Sequence, residues 1–167
     1  DCIGKKVYAI DYFCGKNGLD IKHLSERTIE DLIDFGFVDC FADIFTLKNY
    51  KNEWANKEGY GVRGVNRILN SIEEAKNTTL DKFISAIGIP LIGKTDANRL
   101  VKIFPTYEAF RNAVKDSKYH FYEIDGFGIE MDDAIKNFDY READAIYKLL
   151  TIPEVKVEEK KDIDLTV

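Results

Sequence analysis

One turn-and-helix frame recurs four times along these 167 residues, and no other feature restricts the fold as much. Its clearest copy reads Lys57-Glu58-Gly59-Tyr60-Gly61-Val62-Arg63-Gly64-Val65, with Ile68, Leu69 and Ile72 behind it. Val65, Ile68, Leu69 and Ile72 fall at i, i+3, i+4 and i+7, one face of a helix. The glycines on either side of Tyr60 allow a tight backbone just ahead of that helix. Amides at a helix start lack partners and the dipole there favours an anion, so the segment suits a phosphate. The same frame can be laid on Ser25, Gly93 and Gly128. From Ser25 through Gly61 and Gly93 to Gly128 the spacings are 36, 32 and 35 residues. A period of that length marks a repeated supersecondary unit, here read as helix, short hairpin, helix. Tetratricopeptide repeats share the period, but their Trp-Leu-Gly-Tyr pattern is absent. The chain is therefore expected to be all-α, with four tandem helix-hairpin-helix units.

Between the anchors the periodicity assigns the remaining helices. Residues 2–14 form a first helix with Ile3, Val7, Ile10 and Cys14 on one side, broken by Gly15 to Gly18. Leu19 to Gly36 is the first unit, and 39–56 is a connector with one or two short helices. The helix after Gly61 runs to about Ala75. Thr79 is placed to cap the next helix, whose Leu80, Phe83, Ile84 and Ile87 share a face. Pro105 stops the third unit, and Thr106 opens a helix with Tyr107, Phe110 and Val114 inward. The fourth unit spans 121–138. A last helix within 139–150 turns Ala143, Ile146, Tyr147 and Leu150 to one side.

Charge restricts the partners. There are 24 basic and 30 acidic side chains, a net −6, so bulk electrostatics do not favour nucleic acid. The distribution is uneven. Fourteen-residue windows around the anchors carry −2 (21–34), +2 (57–70), +2 (89–102) and −3 (124–137). Cys2, Cys14 and Cys40 are odd in number and scattered, which argues against a disulfide framework and fits a reducing compartment. Cys14 and Cys40 read as small buried apolar groups, and His23 and His120 as lone surface or packing residues. No run of eighteen apolar residues is present to span a membrane, and no signal-peptide pattern opens the chain. No Ser/His/Asp order, His-Glu-Xaa-Xaa-His or P-loop is found.

Leu19-Asp20-Ile21 with Leu24, then Glu58-Gly59-Tyr60-Gly61, then Ala86-Ile87-Gly88-Ile89 through Gly93-Lys94-Thr95, and finally Asp125-Gly126-Phe127-Gly128 carry a family likeness. Together, over nearly the whole chain, they resemble the C-terminal half of bacterial NAD-dependent DNA ligases. The resemblance implies a hairpin domain like that of Holliday-junction proteins, occupying 16–152 and gripping the minor groove of nicked duplex DNA in replication and repair. It implies DNA contacts at Gly59, Gly61, Arg63, Arg67, Gly93, Lys94, Thr95, Gly126 and Gly128. It makes residues 1–15 the end of a zinc-finger module with its linking helix, Cys2 standing where the family has the last of four zinc-binding cysteines. It makes 153–167 a charged linker toward a BRCT domain. The implied partners are nicked double-stranded DNA and the adenylation and OB domains of the same ligase, in a bacterial cytoplasm. NAD, magnesium and zinc would belong to the full-length parent. No Lys-Xaa-Asp-Gly adenylation motif occurs here. The segment alone is therefore expected to be no enzyme, to have no catalytic residue, to hold no zinc and to take no AMP from NAD.

Two units depart from the family pattern. The first has His23 and Ser25 where glycines are usual. The fourth is followed by Glu130, Asp132 and Asp133, whose carboxylates would repel phosphate, and Asp132 stands in place of a small apolar residue. Gly61 and Gly93 are expected to be backbone requirements. Two other readings stay open. One is a structural or protein-interaction module of the same repeat that no longer touches DNA. The other is a different tandem-hairpin DNA-repair protein.

Overall fold

A computed structural model describes residues 2–156, with side chains from residue 4 onward. Among the described residues nine α-helices and two 3₁₀ segments occur, and the extended pairing is one isolated parallel bridge, Asn77 with Thr151. The all-α expectation holds. The Cys2 side chain, offered as a zinc ligand, and residues 157–167 of the expected linker lie outside the described residues.

The helices are α1 (Cys2–Cys14), α2 (Glu26–Asp34), α3 (Lys51–Ala55), α4 (Val62–Ala75), α5 (Leu80–Ala86), α6 (Lys94–Ile103), α7 (Tyr107–Lys115), α8 (Ile129–Asn137) and α9 (Arg141–Tyr147). The α1–α2, α3–α4 and α5–α6 pairs each pack together, and α8 packs on the 3₁₀ turn Phe121–Glu123. The fourth unit thus opens on a single turn rather than on a full helix. The units are tied crosswise as well. Helix α1 packs on α5, and the 3₁₀ segment Phe41–Tyr50 packs on α4 and α9.

The apolar periodicity goes into one core. Leu80, Phe83, Ile84 and Ile87 are all buried, as are Tyr107, Phe110 and Val114. On α9, Ala143 and Ile146 are buried, while Tyr147, and Leu150 beyond the helix end, pack on the core from its margin. Cys14 is fully buried, and burial pushes its thiol well above its ordinary range, so it acts as a packing group. Cys40 is only half-buried. Helix ends follow local chemistry. Gly36, at φ +81°, ends α2 in a Schellman motif: its N–H donates to Ile33 O at 3.0 Å, and Phe37 N–H to Leu32 O at 3.0 Å. Thr106 caps α7 by accepting from Ala109 N–H at 3.0 Å. Thr79 holds the N-cap position of α5 but accepts no amide through its side chain, which corrects the capping expectation. The chain just after Pro153 packs on the helices: Val155 N–H donates to Pro105 O at 3.0 Å.

Candidate nucleic-acid interface

All four anchors are helix N-caps: Ser25 of α2, Gly61 of α4, Gly93 of α6 and Gly128 of α8. Two residues before each anchor the backbone turns left-handed, at His23 (φ +67°), Gly59 (+86°), Leu91 (+70°) and Gly126 (+88°). In the last three units this residue is the third of a four-residue turn. Tyr60 N–H donates to Lys57 O at 3.0 Å, Ile92 to Ile89 at 3.1 Å and Phe127 to Ile124 at 3.0 Å. A positive φ at that place is the type II signature, which favours glycine there and proline just before it. Pro90 fills the proline position in the third unit and preorganises a turn that Leu91 must otherwise enter under strain.

The backbone requirement therefore lies elsewhere than expected. Gly61 is extended at φ −157° and Gly93 sits at −103°, and a Cβ on either would meet nothing within 4 Å. Gly59 and Gly126 carry the positive φ instead. The residue between turn and anchor points inward: Leu24, Ile92 and Phe127 are buried and Tyr60 half-buried. Each stands where a hydrophobic staple would meet the fourth helical residue. Those partners are Ile29, Val65 and Ala97, all buried, and in the last unit Asp132.

Asp132 is not a repelling surface charge. It is buried, and its Oδ1 accepts from Phe121 N–H at 2.6 Å. A carboxylate replaces an apolar staple residue because the 3₁₀ turn presents an amide that needs an acceptor. Glu130 and Asp133 remain exposed.

The first hairpin is closed. Ser25 Oγ accepts from Thr28 N–H at 3.2 Å, removing one amide of the α2 start. Its helix instead supports the second hairpin. Asp31 accepts from Tyr60 O–H at 2.7 Å, Tyr60 packs on Phe35 with centroids 6.1 Å apart, and Lys57 Nζ lies 4.8 Å from the Phe35 centroid. Lys57 is thus turned to its neighbour's rings, while Arg63 and Arg67 stay exposed on α4. The first α4 amide with an acceptor in the helix is Val65, donating to Gly61 O at 3.0 Å. This leaves Val62, Arg63 and Gly64 without one.

The third hairpin presents Lys94 and Thr95, both exposed, in the first turn of α6. Gly93 N–H is not available there, because Asp96 Oδ2 takes it at 3.1 Å. Arg63, Arg67 and Lys94 make no ion pair among the described residues. Asp20, in the first hairpin, is held below the usual carboxylate range, first by its hydrogen bond from Lys22 and then by the charges of Lys22, Lys82 and Lys94.

The fourth hairpin receives a cation that its own sequence does not supply. Arg99 of α6 donates from Nη1 to Asp125 O at 3.3 Å. Its guanidinium lies over Gly126, where an added Cβ would come within 1.7 Å of Nη1. Sequence reasoning missed Arg99 because it sits six residues past its own anchor and acts on the next unit.

The expected contact residues thus form three groups. Gly59, Gly61, Arg63 and Arg67 lie on the second unit, Gly93, Lys94 and Thr95 on the third, and Gly126 and Gly128 on the fourth. Among the described residues no three His, Cys, Asp or Glu side chains are grouped to hold a metal. No helix there is long and apolar enough to cross a membrane.

No family model matches the chain. Individual relatives do. A DNA ligase of Rickettsia bellii is 35% identical over 164 residues, covering 90% of this chain. The chain belongs to the bacterial DNA ligase family. A DNA ligase of Phytoplasma mali is 34% identical over 138 residues, 83% of the chain, and one of Campylobacter lari is 31% identical over 167 residues, 95% of it. The chain spans about a quarter of the length of such relatives, 24% for the Rickettsia and Campylobacter enzymes. In this family member the four-unit segment is what the described residues contain.

Proposed function

We propose that the chain is the DNA-gripping segment of an NAD-dependent ligase and holds the backbone of nicked duplex during nick sealing in replication and repair. One observation carries the reading. Arg63, Arg67 and Lys94 are exposed, and unpaired among the described residues, in or just behind the first turns of α4 and α6. They stand beside amides that lack acceptors in the helix. Amides aimed at a phosphate with a cation in reach form an anion site whose occupant is a backbone, not a base. The net −6 is compatible with this, since four acids lie on α2, the helix that carries the closed hairpin.

The remaining parts belong to the same reading. Residues 1–15 end a zinc module to which Cys2 contributes, and 153–167 lead toward a BRCT domain. The adenylation and OB domains, with NAD and magnesium, belong to the rest of a cytoplasmic bacterial enzyme, so the segment alone catalyses nothing.

Two substitutions test the contact. Lys94→Glu should weaken binding of a fluorescent nicked duplex about tenfold and flatten the salt slope by about 0.9 or more, one phosphate's share. Unchanged affinity and slope would favour the interaction-module reading, which the net charge otherwise recommends. Gly61→Ser should separate stability from binding. Serine caps better than glycine by a few tenths of a kcal/mol, so melting should hold or rise. Its Oγ would accept the Gly64 amide, as Ser25 accepts Thr28 N–H, and binding should weaken. Full binding with the cap formed would show that those amides do not face DNA.

A further inference from the structure

Where α1, the third hairpin and the start of α9 meet, a concavity has chemistry opposite to that of the helix starts. Its volume is about 620 Å³, within the roughly 300–1,000 Å³ of small-molecule pockets. Helix α1 contributes Tyr8 and Tyr12, the third hairpin contributes Ile87 to Gly93, and the chain from Phe138 into α9 closes the far side. Phe41, the first residue of the 3₁₀ segment, also lines it. The aromatic walls are held by their neighbours. Phe41 stacks on buried Phe13 with centroids 4.7 Å apart, Phe138 packs edge-on against buried Tyr140 at 4.9 Å, and Tyr8 and Tyr12 stack on each other at 6.5 Å. Tyr8 and Leu91 are exposed and leave apolar surface at the mouth.

Charge selects the ligand. Besides the two tyrosines, the ionisable groups in the lining are Asp139 and Glu142, and no lysine or arginine is among them. Asp139 is bonded to Arg141, which stands outside the lining, so the uncompensated charge is that of Glu142. Glu142 Oε1 accepts the Phe41 N–H, which fixes the carboxylate at the aromatic wall. An ionised carboxylate accepts through both oxygens, and Oε2 has no donor among the described residues. A phosphate would meet this carboxylate and no cation, so the concavity suits neither DNA nor a nucleotide. An ammonium would meet the carboxylate and the faces of aromatic rings, both of which attract it. We infer that this concavity is a binding site for a compact aromatic amine, with its ring among Tyr12, Phe41 and Phe138 and its ammonium on Glu142. The site stands independently of the DNA-binding reading.

The test is an NMR titration of the isotopically labelled 167-residue chain with three probes of similar shape. They are naphthylethylamine, cationic at neutral pH, naphthylethanol, which is neutral, and naphthylacetic acid, an anion. The amine should bind with a dissociation constant of about 1 mM or below, within reach of a ligand of that size. Amide shifts should gather at Phe41, Leu91 and Glu142. The alcohol should bind roughly threefold to tenfold more weakly, and the acid should not bind. Because a chain of net −6 attracts any amine, the deciding comparison is Glu142→Gln. Glutamine keeps an acceptor for the Phe41 N–H but removes the charge, so amine and alcohol should then bind alike. Ala9→Trp, which fills the concavity from α1, should abolish binding of both at a nearly unchanged melting temperature. The inference is wrong if the acid binds as well as the amine, if Glu142→Gln leaves the preference for the amine intact, or if no probe gives saturable shifts at these residues. Should Ala9→Trp unfold the chain, the Glu142→Gln comparison decides alone.

Discussion

Asp144→Ala will lower the unfolding free energy by roughly 2–3 kcal/mol at neutral pH, the range for hydrogen bonds to a charged group that leave partners behind. Three donors converge on this carboxylate. Tyr107 O–H donates to Oδ1 at 2.6 Å, Arg111 Nε to Oδ1 at 2.9 Å and Arg111 Nη2 to Oδ2 at 3.0 Å. The network joins α7 to α9, and the guanidinium also lies 4.2 Å from the centroid of buried Tyr140. Removing Asp144 leaves a tyrosine that is 3% exposed and an arginine side chain 15% exposed without their acceptor. Burial alone would push Asp144 up, but the hydrogen bonds from Arg111 and Tyr107 outweigh it and hold the carboxyl below its ordinary range. A carboxyl lowered on folding gives its full stabilisation above the unfolded value, about 3.9, and loses it as pH falls through the lower folded value. The stability gap between wild type and Asp144→Ala should then be constant from pH 7 to about 5 and shrink in more acid solution. Chemical denaturation at a series of pH values measures it. A gap that persists at low pH would assign the effect to packing of the side chain rather than to its charge.

The contrast between that network and the hairpins explains what the sequence makes legible. Anchors at 25, 61, 93 and 128 are N-caps because the signals that mark them act within a few residues: a turn, a cap, then an apolar face at helical spacing. Those signals come from local backbone sterics and periodicity, and both are written in order along the chain. The left-handed positions are harder to read. Gly59 and Gly126 advertise theirs, but His23 and Leu91 are L-residues held at positive φ by the turn around them and by the buried residue after it. Gly61, between Tyr60 and Val62, has the look of a required glycine, though an extended residue needs none. Side-chain destinations are least legible of all. Asp132 to Phe121 N–H spans 11 residues, Arg99 to Asp125 O spans 26 and Glu142 to Phe41 N–H spans 101. Windows of charge counted along the chain assign each cation to its own unit. A helix instead delivers its far turns to the next unit, which is how Arg99 leaves the third hairpin's total and enters the fourth's surroundings.

Gly126→Val is expected to cost roughly 2–3 kcal/mol, and the cost has two separable parts. The first is conformational: a β-branched residue at φ +88° bears about 1–2 kcal/mol of left-handed strain. The second is the displaced Arg99 guanidinium, which gives up its bond to Asp125 O, worth about 0.5–1.5 kcal/mol. Since the obstructing atom is the end of a flexible side chain, Arg99 swings aside rather than forcing the backbone open. In an Arg99→Ala background only the first part remains, so Gly126→Val should there cost about 1–2 kcal/mol. The difference between the two backgrounds is the coupling between α6 and the fourth hairpin. Equal costs in both would mean that Arg99 does not rest on the turn in solution.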